Sequence, residues 1–351
     1  MADDAATAGR TMTGAQVRRW EEVLRNITEM LPAGPACVVV DGVDQQSLDF
    51  TERLAATLHA AGRPCARLSE TDPSAGEDAW YAGRTAETVA LAHGPHWRAH
   101  PPQSGWDVVI WLRASPGGHG SRGNAEPDAD IVVDLHDPNW PVIRHVAARL
   151  ADPSRWYITE NRAFFATRAA SWDTRFGDDL PAYTAAITDS GIPRDGVVLD
   201  VGCGNGRALP ALRQAVGPQG AVIALDLTPE MLEQARVKGR AEHAALVLAD
   251  AGRLPLTHAS VDAVFAAGLL MHLPDTEQGL RELARVTRPG GLLVLFHPSG
   301  RIALAARHGR TLRPDEPLAK EPLRRSMRRT GWKLTTYDDP AHRFLAIGTR
   351  R

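Results

Sequence analysis

Apolar and polar positions fall into two long series in which short apolar runs are separated by segments of helical spacing. The first series begins at Ala36-Cys37-Val38-Val39-Val40-Asp41, an apolar run closed by an acid. Such a run is the pattern of a parallel strand covered on both faces. A helix-like spacing follows from Ser47 to Ala61, then a strand from Cys65 to Ser69. Trp106 to Leu112 and Ile131 to Leu135 read as further buried strands, and Val142 to Leu150 as a closing helix. Residues 71–76 and Ser115 to Pro127 carry the Gly, Pro, Ser and Asp of loops.

Residues 153–192 hold the densest aromatic set: Trp156, Tyr157, Phe164, Phe165, Trp172, Phe176 and Tyr183. Their spacing predicts two amphipathic helices packed on a sheet, which is compatible with a lid over a pocket. The second series predicts strands at Val197 to Val201, Ala221 to Leu225, Ala245 to Ala249, Val261 to Ala266 and Leu292 to His297. A final antiparallel pair is expected at Trp332 to Tyr337 and Phe344 to Thr349. Strands alternating with helical patterns imply parallel sheets, so the fold class is α/β.

A length of 351 residues allows two domains. No run approaches the roughly 20 apolar residues of a membrane helix. The start, Met1-Ala2-Asp3-Asp4, is acidic and lacks a secretory pattern. The scattered Cys37, Cys65 and Cys203 point to a reducing cytoplasm, with neither a disulfide framework nor a zinc site. The formal charge of -2 gives no global field for nucleic acid. Lysine is confined to Lys238, Lys320 and Lys333 among many arginines and alanines, a composition that suggests a GC-rich, actinobacterial source.

The chemistry concentrates at Val197-Val198-Leu199-Asp200-Val201-Gly202-Cys203-Gly204-Asn205-Gly206. A buried strand, an acid and alternate glycines predict a strand, a tight turn and a helix start. Nucleotide-like ligands bind at such a junction in a parallel sheet. The third glycine comes one residue too early for the G-x-G-x-x-G of dinucleotide sites. The G-x-G-x-G pattern after an acidic strand end resembles motif I of class I S-adenosylmethionine-dependent methyltransferases, and of the ubiquinone/menaquinone-biosynthesis-like (type 11) group in particular.

That resemblance covers about residues 160–351 and implies a Rossmann-like seven-stranded sheet with S-adenosylmethionine as cofactor. Asp200 then suits the cofactor's cationic end, above Gly202, Gly204 and Gly206. Asp226, with Leu227 beside it, takes the position that binds the ribose diol, where a carboxylate accepts both hydroxyl protons. Thr228-Pro229 reads as a helix N-cap and N1 pair, which leaves Asp226 without a structural task of its own. An acid here also fits a nicotinamide dinucleotide site. In Leu248-Ala249-Asp250-Ala251-Gly252-Arg253, Asp250 and the Ala251 N–H take the adenine positions, although Asp250 also reads as a turn former. Ala267, in the exit of the fourth strand, faces the methionine part. The Pro289-Gly290-Gly291 turn matches the approach to strand five. Trp172 and Phe176 resemble the helix that closes over the cofactor.

His272 and His297 follow strand ends on the ligand side and are candidate general bases, or else loop-ordering residues. Arg324-Arg325-Ser326-Met327-Arg328-Arg329 reads as a solvated helix face or an anion contact.

The first series resembles uridine-kinase-like P-loop proteins over about residues 15–150. A P-loop needs G-x-x-x-x-G-K-[ST]. Counted from Gly42, Ser47 replaces the second glycine, Leu48 the lysine and Asp49 the hydroxyl. The expectation is a kinase-like shell that phosphorylates nothing, with a nucleoside-sized pocket or a role in dimerisation or stability left to it. The expected organisation is 1–152 degenerate kinase-like domain, 153–195 helical lid or linker, and 196–351 methyltransferase domain. The expected partner is a small-molecule substrate, without membrane or nucleic acid, with a homodimer left open. A macromolecular acceptor recruited by the first domain, and a nucleotide-binding scaffold without catalysis, are the alternatives.

Overall fold

The computed structural model describes residues 12–42, 44–67, 88–102, 104–113, 128–153, 156–307 and 311–351, with the side chains of Asp44, Arg175 and Phe176 outside that set. The loops expected at 71–76 and at Ser115 to Pro127 lie outside the described residues. The chain divides into two units, Met1–Glu160 and Asn161–Arg351.

The N-terminal unit runs α1 (Gly14–Met30), β1 (Ala36–Asp41), α2 (Asp44–Ala60), β2 (Cys65–Arg67), β3 (Val89–His93), α3 (Pro95–Ala99), β4 (Val108–Arg113), β5 (Ile131–Asp134) and β6 (Val142–Val146). Helix α4 (Tyr157–Ala166) contains the division between the units. The sheet order is β2-β3-β1-β4-β5-β6, parallel except where β6 pairs antiparallel with β5. Strand β1 is central and wholly buried, as its apolar run requires.

The helix expected at Val142 to Leu150 is instead strand β6. Apolar residues at 142, 143, 146 and 150 fit a helical period, but Val142, Ile143 and Val146 are β-branched and pair better on a sheet edge. Helix α1 went unpredicted, although Thr13 and Gln16 form a reciprocal capping box that marks its start. Strand β3 also went unpredicted, because its alanines and leucine favour a helix until β1 pairs with them.

Helix α2 starts at Asp44, three residues past Asp41, so positions 44–49 of the phosphate-loop pattern counted from Gly42 are helical here. Gly42 sits at φ 143°, and a Cβ there would stand 2.5 Å from the Leu112 carbonyl oxygen. The glycine is therefore explained by close approach to β4.

The C-terminal unit runs α5 (Trp172–Phe176), α6 (Leu180–Ser190), β7 (Val197–Val201), α7 (Leu209–Val216), β8 (Ala221–Asp226), α8 (Pro229–Val237), β9 (Ala245–Leu248), β10 (Val261–Ala267), α9 (Thr276–Val286), β11 (Thr287–His297), α10 (Arg301–Arg307), α11 (Lys320–Arg329), β12 (Trp332–Asp338) and β13 (Phe344–Arg350). Single 3₁₀ turns cover Arg240–His243 and Leu270–His272. Its sheet order is β12-β13-β11-β10-β7-β8-β9, parallel from β11 to β9 and antiparallel through the β12–β13 pair. All seven strands were expected; β11 starts earlier, at Thr287, because the Pro289-Gly290-Gly291 segment belongs to it.

Successive residues of β7 feed opposite faces. Leu199 and Val201 pack with Leu225, Leu293 and Trp332, while Val198 packs with Val222, Leu209 and Phe265. Strand β7 lies between β8 and β10, where the winding reverses. The crevice outside its carboxyl end is where open α/β sheets bind ligands.

Candidate cofactor and active site

The loop after β7 is folded against the end of β8. The Gly202 and Cys203 N–H groups both donate to the Leu225 carbonyl, at 2.8 and 2.9 Å. Gly204 has φ +54°, and nothing lies within 4 Å of where its Cβ would stand. Gly206 has φ +81°, but a Cβ there would meet Leu209 Cδ1 at 2.9 Å and Arg240 Cβ at 3.2 Å. Gly204 thus keeps space open, while Gly206 permits helix packing.

Asp226 has a structural task that the sequence did not show. Its Oδ2 accepts from the Gly204 N–H and its Oδ1 from the Thr228 N–H, both at 2.8 Å. Thr228 occupies the N-cap position of α8, but its side chain makes no capping bond. Asp226 therefore ties the glycine loop to the start of α8.

Asp200 is 1% exposed, and its Oδ2 is buried without a hydrogen-bond partner. Burial, with the Asp226 charge adding to it, pushes its carboxyl up to about 8. Burial also raises Asp226, against the lowering effect of the Thr228 and Gly204 N–H groups. Two buried carboxylates that resist ionisation together make a place that favours a cation.

At the end of β9, Asp250 Oδ1 accepts from the Gly252 N–H at 2.9 Å, which is the turn-forming contact, and Ala251 is buried. Pairing sets Asp226 opposite Leu248 and Asp200 opposite Phe265, so the ends of β7, β8, β9 and β10 line one edge. Leu227 offers its carbonyl to Arg162 Nε at 2.9 Å. Ala267 ends β10, and the next residue, Gly268, donates its N–H to the Phe296 carbonyl at 2.9 Å.

The sequence reading missed a charged latch at Asp173. Helix α5 carries Trp172 and Asp173, and the Phe176 side chain lies outside the described residues. Asp173 accepts from Asn205 Nδ2 and Arg207 Nη1, both at 2.7 Å, and from Lys238 Nζ at 2.9 Å and Arg240 Nη2 at 3.0 Å. Arg207 also pairs with Asp179 and donates to the Gly177 carbonyl at 2.8 Å. Burial acts to raise the Asp173 carboxyl, but the Asn205, Lys238 and Arg240 hydrogen bonds outweigh it and hold the group well below the usual carboxylate range. The glycine loop and the segment after α8 are thereby fastened to α5. Arginine and lysine in an arginine-rich chain gave no signal of this, because the partners are 32 to 67 residues apart.

Trp172 is half-buried and its ring lies 5.7 Å from Phe165, which meets His272 edge-on at 5.2 Å. Phe165 thus joins Trp172 to one candidate base. The other, His297, has Nδ1 at 2.9 Å from the Ser299 carbonyl and 3.0 Å from the Ser299 N–H, the loop-ordering role foreseen for it. The basic run lies on α11, where Leu323 and Met327 are buried, Arg324 pairs with Glu321 and Arg329 with Glu277. It is a solvated, paired face.

Residues 199–295 match the sequence profile of a methyltransferase domain. The chain is similar to an uncharacterised 37.1 kDa protein in transposon TN4556 of Streptomyces fradiae, 41% identical over 123 residues, 34% of this chain and 36% of that protein. It is 38% identical over 114 residues to the demethylmenaquinone methyltransferase of Staphylococcus aureus, covering 32% of this chain and 47% of that enzyme. The chain therefore spans less than half the length of either relative. Among solved structures, the magnesium protoporphyrin IX methyltransferase of Synechocystis with bound S-adenosylhomocysteine is 17% identical, covers 55% of this chain and 99% of that chain, and has a TM-score of 0.43. Residues 199–295 of the C-terminal unit are therefore similar to a methyltransferase domain, which supports S-adenosylmethionine as the cofactor. The buried, unpartnered Asp200 oxygen and the open space at Gly204 fit a cationic ligand of that kind.

Proposed function

We propose that the C-terminal unit transfers a methyl group from S-adenosylmethionine to a small-molecule acceptor, and that the N-terminal unit does no chemistry. The observation that carries this reading is the pair of buried carboxylates, Asp200 and Asp226, held on either side of an open glycine loop inside the matched domain. The cofactor supplies a methyl group on a sulfonium, which an acceptor lone pair displaces in line while the C–S pair returns to sulfur.

The chain's own residues bind, orient and exclude water. Asp200 answers the cationic end, and Asp226 and Leu227 hold the ribose. Asp250 and Ala251 hold the adenine, and Ala267 borders the methionine part. Residues 153–195 form the lid and linker, with Trp172 and Phe176 on α5. Alignment and desolvation provide much of the rate for an already activated group. A proton on the acceptor, where one must leave, passes to His272, in the 3₁₀ turn after β10, or to His297, at the end of β11.

The missing loop and lysine after β1 support a non-catalytic N-terminal unit, since Leu48 gives phosphate no charge and Asp49 repels it. Calorimetric titration of the full chain with S-adenosylmethionine and S-adenosylhomocysteine tests the enzyme reading. Saturable binding of both is expected, and no binding at millimolar ligand defeats it. Phosphate transfer from ATP to uridine by the full chain would overturn the reading of the N-terminal unit.

A further inference from the structure

Four donors converge on the one carboxylate of Asp173. Asn205 Nδ2 and Arg207 Nη1 both reach Oδ1 at 2.7 Å, while Lys238 Nζ and Arg240 Nη2 reach Oδ2 at 2.9 and 3.0 Å. The donors belong to the glycine loop and to the segment after α8; α5 supplies only the acceptor. Two of the cations are held in place without Asp173. Arg207 pairs with Asp179 and donates to the Gly177 carbonyl, and Arg240 Nη1 donates to the Asn205 carbonyl at 3.0 Å. Three cations and an amide, converging in this way, make a seat for an oxyanion, and Asp173 is the group that sits in it.

The occupant stands on a weak element. Helix α5 has five residues, too few to persist by itself, and it ends at Gly177, whose φ of +66° suits a pivot. Arg207 fixes both Gly177 and Asp179, so Asp173 can leave its seat while the chain beyond it stays anchored. Once Asp173 leaves, Arg207, Lys238 and Arg240 face the single acid Asp179, a surplus of two positive charges. A carboxylate brings one charge and two oxygens. A phosphate group brings a charge of about -1.5 to -2 near neutral pH and at least three strong acceptor oxygens. The Asp173 and Lys238 side chains are 25% and 28% exposed, so an ion reaches the seat from solvent. We propose that this seat is a binding site for a small tetrahedral dianion such as inorganic phosphate, which displaces Asp173 and releases α5. Seating Asp173 is favoured roughly thirtyfold, the equivalent of one hydrogen bond to a charged group. The seat is then open in about 3% of molecules, which weakens phosphate by that fraction. Where the glycine loop and α5 border a cofactor, phosphate and cofactor oppose each other reciprocally; this second effect rests on the methyl-transfer reading above.

The direct test is calorimetric titration of the full chain with inorganic phosphate, with ionic strength held constant by sodium chloride. Asp173→Ala should bind phosphate about thirtyfold more tightly than the unmodified chain, because it removes the tethered competitor. Adding Arg240→Gln to that variant should weaken phosphate by at least about tenfold. Circular dichroism checks the fold of each variant. Asp173→Asn, which keeps the shape without the charge, replaces Asp173→Ala if the latter does not fold, and should gain at least about threefold. In the unmodified chain, saturating phosphate should raise the S-adenosylhomocysteine Kd at least about threefold over matched chloride, and it should not raise it in Asp173→Ala. Phosphate binding that is no tighter in Asp173→Ala, or that survives Arg240→Gln undiminished, would overturn the proposal. So would an effect of phosphate on S-adenosylhomocysteine that is equal in the two chains or absent from the unmodified one. Failure of the unmodified chain to bind S-adenosylhomocysteine at all would instead defeat the methyl-transfer reading and leave the phosphate titration standing, so the two failures are distinct.

Discussion

Removing the Asp173 carboxylate should unfasten α5 and weaken cofactor binding. Asp173 is 25% exposed on its side chain, while Arg207 is 4% and Arg240 14% exposed, so the bonds between them are only partly screened by water. Hydrogen bonds to charged groups contribute about 1.5–3 kcal/mol each, but Asp173→Ala does not strip the cations bare. Arg207 keeps Asp179 and the Gly177 carbonyl, and Arg240 keeps the Asn205 carbonyl at 3.0 Å. The net loss is therefore about 2 kcal/mol, nearer one charged bond than four. A helix of five residues does not hold itself together, so the loss appears as disorder of α5. The cofactor must then order that helix as it binds, and about 2 kcal/mol corresponds to a roughly thirtyfold rise in Kd. Asp173→Asn keeps the shape and an acceptor oxygen but no charge, so its Kd should fall between the two. The assay is calorimetric titration with S-adenosylhomocysteine at constant salt, with urea unfolding alongside. Asp173 is held below its ordinary 3.8, so its contribution is present above that pH and is lost only as the pH falls through the depressed value. An Asp173→Ala protein that binds within about twofold of the unmodified chain would refute the latch.

Asp200 should make cofactor binding release a proton. Its carboxyl is raised to about 8, so the folded chain keeps a proton that the unfolded chain loses near 3.8, and stability falls as pH rises across that window. A cation that ionises Asp200 expels the proton, so binding heats near neutral pH should vary with the buffer's ionisation enthalpy; identical heats in MOPS and Tris would contradict this. Asp200→Asn should flatten the fall of stability with pH, as read by thermal melts. Gly206→Ala should destabilise by about 1–3 kcal/mol, because it combines a left-handed backbone with the contact on Leu209, whereas Gly204→Ala should cost less in urea unfolding and more in ligand affinity. In the N-terminal unit, Arg19→Ala should lower stability by about 3 kcal/mol in urea unfolding, because it leaves the fully buried Glu160 with the Ile143 N–H but no cation. Full stability in that variant would mean that Glu160 is protonated in the fold.

Much of the C-terminal unit was legible because its parallel strands are buried on both faces. Such strands read as apolar runs, and Val197 to Val201 and Val261 to Ala266 are of that kind. The glycine loop was legible for a related reason, since backbone with positive φ calls for glycine wherever it occurs. Two strands of the N-terminal unit, β3 and β6, were not legible. Val142 to Val146 carries a helical period, and Val89 to His93 carries helix-forming alanines; each became a strand because a neighbour offered it hydrogen bonds.

The amino-acid order by itself determined the two strand-helix series, the acid-glycine turn at Asp200, and the absence of a P-loop lysine and hydroxyl after Gly42. Those are local properties, set by side-chain type and by the φ a residue can adopt. Only the tertiary structure decided what depends on distance between remote residues. It gave Asp226 two backbone donors and gathered Asn205, Arg207, Lys238 and Arg240 on Asp173. A charge partner has no period and no fixed spacing along the chain, so it becomes visible only when the sheet brings its pieces together.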